Sequence, residues 1–206
     1  MIQPQYKRLR DAYIVLSLQF LITFLVVKMV RDNPKYYNLI RTYSAIPIIL
    51  SFILLFTIEL GNFSPLVKLM FFTLFSICLG TLCIATSKFI SDSIIFSSLK
   101  ATLAVFVSLS IVGWICYTQG INLSRLHFIL LIALIGLLIG MFFAYSTPQN
   151  RKVIFTFGII VFSTLIAVDT YDLLTSKRRD VISDALGLYL SVINLFQHLI
   201  GLKMSK

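Results

Sequence analysis

Apolar and polar positions fall along this chain in long blocks, not in short periods. Seven mainly apolar stretches, at about residues 12–30, 45–60, 65–86, 94–117, 126–145, 153–174 and 181–202, are separated by brief polar links. About 20 apolar residues in a helix match the hydrocarbon thickness of a bilayer. Lipid admits only helices or closed barrels, and blocks of this length without period-2 alternation exclude the barrel. The pattern therefore predicts an all-α integral membrane protein, a compact bundle of six to seven transmembrane helices forming one domain over residues 1–206. The last segment is either spanning or re-entrant.

The links carry their own signals. In RDNPKYYNLIRTY, Pro34 is read as a helix breaker, and Tyr36, Tyr37 and Tyr43 suit the headgroup interface. Gly61, Asn62 and Pro65 predict a tight turn, and Gln119, Gly120 and Pro148 punctuate later ones. Lys7, Arg8 and Arg10 precede the first block as in a signal peptide. That block is too long and lacks a small-residue cleavage site, so it is expected to stay as the first span.

Composition agrees with the pattern. The chain is 58% hydrophobic and 13% charged, whereas soluble domains are nearer half apolar and a quarter charged. Its net charge of +10 comes from short basic groups beside apolar runs. That is how membrane flanks meet anionic headgroups, not how a protein covers a nucleic acid. The bilayer is thus an expected partner and nucleic acid is not. The distribution of Lys and Arg leans toward a cytosolic N-terminus. The sequons Asn62-Phe-Ser64 and Asn122-Leu-Ser124 then face the cytosol and stay unglycosylated. Cys78, Cys83 and Cys116 have neither metal-ligand nor redox spacing and read as small buried hydrophobes.

Polar residues inside the blocks mark the candidate chemistry. Asp169 and Asp172 share one side of the sixth span, where a carboxylate needs protein, water or an ion beside it. One reading makes Asp169 a proton- or ion-sensing group, with Asp172 lining its pathway nearer the exit. The other makes both acids a solvated helix end paired with Lys177, Arg178 or Arg179. In the seventh segment Asp184, Gly187, Ser191, Asn194 and His198 recur at spacings of three and four, which lays them along one stripe. That stripe either lines a wet path or supplies interhelical hydrogen bonds, and Asp184 is a second candidate for ion or proton sensing. Lys100 and Glu59 are read as snorkelling to the interface. Gly136, Gly140 and Ala144 form a ladder of small residues for close helix approach, more often within a bundle than between subunits. No P-loop, HExxH or nucleophile elbow is present, so neither an enzyme nor a cofactor is expected. A small-solute transporter is a weaker alternative, because no internal repeat is visible.

These residues also resemble a known family. LRDAYIVLSLQFLITF, with Arg10, Tyr13, Leu16, Gln19 and Thr23, is similar to the first-span signature of the transmembrane Bax inhibitor motif family, nearest its lifeguard and Golgi anti-apoptotic branch. Pro65-Leu66 and Phe72-Thr73-Leu74 resemble that family's third span, and Thr102 its fourth. VFSTLIAVDTYDLL and LGLYLSVINLFQHLI resemble its last two helices. The short termini suit a reduced homologue of the kind viruses carry.

The resemblance implies an endoplasmic reticulum, Golgi or plasma-membrane protein that suppresses cell death, linked to a pH-sensitive Ca²⁺ leak from stores. Ca²⁺ and H⁺ would be its ions, and apoptosis-regulating membrane proteins or a second copy its protein partners. Asp169 would be one member of a proton-sensing carboxylate pair, in which two close like charges cannot both ionise readily. Ser191 stands where the family has the second aspartate, Ser76 where relatives often carry glutamate, and Arg179 where an acid can precede the last helix.

Overall fold

The computed structural model describes residues 4–87, 90–144, 147–175 and 180–205, which are helical almost throughout. The helices are α1 (Pro4–Arg31), α2 (Pro34–Thr42), α3 (Ala45–Leu60), α4 (Pro65–Ser87), α5 (Asp92–Thr118), α6 (Leu126–Ala144), α7 (Pro148–Thr175) and α8 (Val181–Met204). Six of them are long and apolar enough to cross a membrane, and α2 with α3 makes a seventh candidate bent by 73°.

The sequence explains that bend. Asn33 caps α2, its side chain accepting from the Lys35 N–H at 3.0 Å, and Pro34 occupies the first helical turn. At that position proline's missing N–H breaks no helical bond. Pro34 therefore ends α1 and starts a new helix, and the polar link expected to be non-helical is α2. Pro47, in the first turn of α3, has no N–H to continue a ladder from α2, so the axis turns at Tyr43 and Ser44. Tyr36 and Tyr43 are exposed as interface residues, but Tyr37 is buried against Val30, Val26, Val27 and Ile40.

Contacts divide the chain into two units, one of Arg10–Ile90 with Arg179–Leu186, the other of Met1–Leu9, Ser91–Arg178 and Gly187–Lys206. In the first, α1 buries Ala12, Leu16, Gln19 and Thr23 at spacings of four and three. Gln19 Nε2 donates to Thr73 Oγ1 at 3.3 Å, and Thr23 Oγ1 lies 3.3 Å from Ser76 O. A Cβ at Gly80 would meet Val26. Residues 19, 23 and 26 thus face 73, 76 and 80, so α1 and α4 run in parallel. The chain must return across the bilayer between them. Only α2 and α3 lie there, which makes the bent pair a crossing and brings the spans to seven.

In the second unit α7 packs against α5 and α6. Leu130 of α6 joins Val161 and Val168 of α7 in one apolar cluster. At Gly113 of α5 a Cβ would strike the backbone of Ala167 and the side chain of Thr170, so only glycine allows this approach. The Gly136–Gly140 ladder has no such role among the described residues. Gly136 faces open space, Gly140 meets only Ile154 at 3.8 Å, and the side chain of Ala144 lies outside the described residues.

α8 runs antiparallel to α7 along most of its length. Ser191 faces Asp169, His198 packs beside Phe162 and Gly158, and Gly201 abuts Phe155. Near its end Lys203 Nζ donates to Ser97 Oγ at the start of α5, 2.7 Å away. An unbroken helix of 24 residues in this register spans and is not re-entrant. It is the most enclosed of the candidate spans, and α6 the least.

Candidate functional site

The two aspartates of α7 are three residues apart and turn to different neighbours. Half-buried Asp169 accepts a hydrogen bond at 2.7 Å from Ser191 Oγ of α8, 22 residues on in the chain. Ser191 itself is buried. The structure therefore brings Asp169 together with the position at which the resemblance places a second carboxylate. A hydroxyl donates one hydrogen bond and adds no charge, so no like-charge repulsion operates between these two positions.

Asp172 lies 2.7 Å from His127 Nε2, on the first turn of α6. This contact ties the end of α7 to the start of α6 and supplies a partner that the sequence did not suggest. The basic residues proposed for that role, Lys177, Arg178 and Arg179, lie outside the described residues.

The stripe on α8 does not act as one surface. Ser191 reaches the acid, but half-buried Asn194 turns its Nδ2 back to Leu190 O at 2.8 Å. His198 places Nδ1 2.8 Å from Asn194 O, with its ring between Phe155 and Phe162. Gly187 faces open space. Asp184 is buried in the first turn of α8. There the exposed N–H groups and the helix dipole favour a negative charge. It stands seven residues from Ser191, about 10 Å along the helix.

Sequence reasoning missed a further pair. Lys68, on the first turn of α4, is buried with its Nζ 2.6 Å from Asp180 Oδ2. Asp180 also caps α8, its Oδ1 accepting from the Ser183 N–H at 2.8 Å. Burial works to raise the Asp180 carboxyl. The Lys68 ammonium and the Ser183 donors overcome this and hold it below the usual carboxylate range. Aspartate three positions before serine at a helix start was the available signal for the cap. Nothing local pointed to Lys68.

Among the described residues no group of three or more His, Cys, Asp or Glu side chains is placed to hold a metal ion. The site is instead a hydrogen-bonded carboxylate between two antiparallel spans, with an imidazole–carboxylate contact a turn further along α7.

Known proteins share this chain's sequence along nearly its whole length. A family model described as "Inhibitor of apoptosis-promoting Bax1" matches residues 5–205. Bax inhibitor 1 of Schizosaccharomyces pombe is 29% identical over 195 residues, covering 91% of this chain and 72% of that protein. The BI1-like protein of Arabidopsis thaliana is 30% identical over 202 residues, covering 94% and 78%. The first-span, third-span and C-terminal motifs lie within the matched region, and the chain belongs to the Bax inhibitor family.

Proposed function

We propose that this multi-pass protein inhibits cell death from an endoplasmic reticulum or Golgi membrane, by letting stored Ca²⁺ leak in a pH-sensitive way. Membership of the Bax inhibitor family supports the anti-apoptotic part. The observation that carries the mechanism is the contact of Ser191 with Asp169 at 2.7 Å between α7 and α8. It is a built polar contact within membrane-spanning helices, where an acid is costly unless it serves a purpose. Protonation of Asp169 would remove its charge, weaken the hydrogen bond it accepts from Ser191 and give the carboxyl a donor of its own, altering how the two helices meet. The test is store Ca²⁺ and survival in cells expressing wild type or Asp169→Asn. Wild type should lower store content and protect, and the amide variant should lose both effects. Equal protection by both, with stores unchanged, would defeat the leak.

A second reading is a non-conducting interaction protein that acts through other membrane proteins. Ser191 favours it, because a hydroxyl in place of a carboxylate weakens cation attraction in a pathway. Reconstituted wild type would then pass no Ca²⁺ at any pH, and Ser191→Asp would restore flux.

A further inference from the structure

His198 of α8 carries a ring nitrogen for which the described residues offer no hydrogen-bond partner. It is only 5% exposed. Its Nδ1 sits 2.8 Å from Asn194 O, and a carbonyl only accepts, so Nδ1 carries the proton. In the neutral ring Nε2 is then a bare lone pair, and it has no hydrogen-bond partner among the described residues. An imidazole kept only to fill space would be a poor choice here, since a buried polar atom without a partner is destabilising and an apolar side chain of similar size has none.

The surroundings are shaped to that ring. Gly158 of α7 lies directly beside Cδ2 and Nε2, and any Cβ there would occupy the space of the imidazole. The rings of Phe155 and Phe162 have centroids 5.9 Å and 5.2 Å from it. That is within the range at which an aromatic ring attracts a cation. Other ionisable groups stand further off. On α7 these are Asp169, whose contact Ser191 is about two turns of α8 away, Asp172 beyond it, and Arg151 and Lys152 near the opposite end. Lys203 lies beyond it on α8, and on α5 Asp92 and Lys100 are exposed.

We infer that His198 is a proton-binding site of α8, a second titratable group of the α7–α8 pair, about two turns from Ser191, the position at which the family resemblance would place a second carboxylate. The ligand is a proton, taken at Nε2 while Nδ1–H stays on Asn194. Its consequence for the pH response rests on the leak proposed above, but its protonation does not.

The chain has only two histidines, His127 and His198, so the site can be read directly. Full-length protein labelled with ¹⁵N-histidine in nanodiscs, with His127→Gln to assign the signals, should show His198 as the neutral Nδ1–H tautomer at about pH 8 and with a second proton on Nε2 at about pH 5, the neighbouring Phe155 and Phe162 rings offsetting part of the burial that opposes the charge. In liposomes, Ca²⁺ flux should change about tenfold between about pH 7.5 and 5.5 for wild type and by only about threefold for His198→Gln, the remaining response belonging to Asp169. An unchanged His127 resonance and elution volume verify that the variant is folded. If wild type passes no Ca²⁺ at any pH, the leak fails and the titration alone decides this inference. A His198 that stays neutral at about pH 5 overturns the proton site, and a His198→Gln variant with the wild-type pH profile overturns its part in the pH response.

Discussion

Gly158→Ala is expected to loosen the α7–α8 pair, and its cost can be worked from two opposed terms. A Cβ at residue 158 would lie 2.8 Å from His198 Cγ and nearer still to Cδ2 and Nε2. His198 cannot simply swing clear, because Nδ1 is held by Asn194 O and the ring is flanked by Phe155 and Phe162. Overpacking of this kind costs about 1–3 kcal/mol. Replacing a mid-helix glycine by alanine returns up to about 1 kcal/mol through backbone entropy. The net expectation is a destabilisation of about 0–2 kcal/mol. Gly136→Ala isolates the favourable term, since nothing lies within 4 Å of its Cβ.

The assay is reversible unfolding in mixed micelles for both single variants, for His198→Ala, and for the Gly158→Ala/His198→Ala double variant. Once the ring is gone the added methyl has room. The double variant should therefore recover most of the overpacking term, a coupling of about 1–3 kcal/mol. A Gly158→Ala protein as stable as Gly136→Ala, or a coupling below about 0.5 kcal/mol, would show that α8 does not sit on α7 in this register.

The other expectations are simpler. Asp180 lies below its ordinary titration range when folded, so its pairing contributes stability above about pH 4 and loses it as the pH falls through the folded value. Asp180→Asn keeps a capping side chain but removes the charge opposite Lys68. With Asp180 36% exposed, the loss near neutral pH should be only about 1 kcal/mol, vanishing in acid, as thermal melts across pH would record. Asn122 is exposed, and its side chain accepts from the Ser124 N–H in the α5–α6 connection. Expressed in mammalian cells, it should carry no glycan on a mobility-shift assay, and a glycosidase-sensitive shift would invert the orientation read from Lys and Arg.

The spans were legible in the sequence because the bilayer sets their length whatever their neighbours are. The α2 helix was not, since proline is both a breaker of the preceding helix and a good first residue of the next. Side-chain pairing was the least legible. Asp172 with His127 and Lys68 with Asp180 join residues far apart in the chain, and only the packing of whole helices decides such contacts. The position opposite Asp169 could be read only through resemblance to a family. The glycines were misleading in a similar way. The visible ladder at Gly136 and Gly140 does little among the described residues, while isolated Gly113, Gly158 and Gly201 make the close approaches.

The late position of Ser191 in the chain matters for biosynthesis. Asp169 leaves the ribosome 22 residues ahead of the hydroxyl that donates to it. Until α8 follows, α7 lacks that hydrogen bond to a carboxylate that is costly in lipid. Chains truncated before α8 should consequently be targets for membrane quality control even though every earlier span is complete. A helix made after α7 thus completes a polar contact of a span already synthesised.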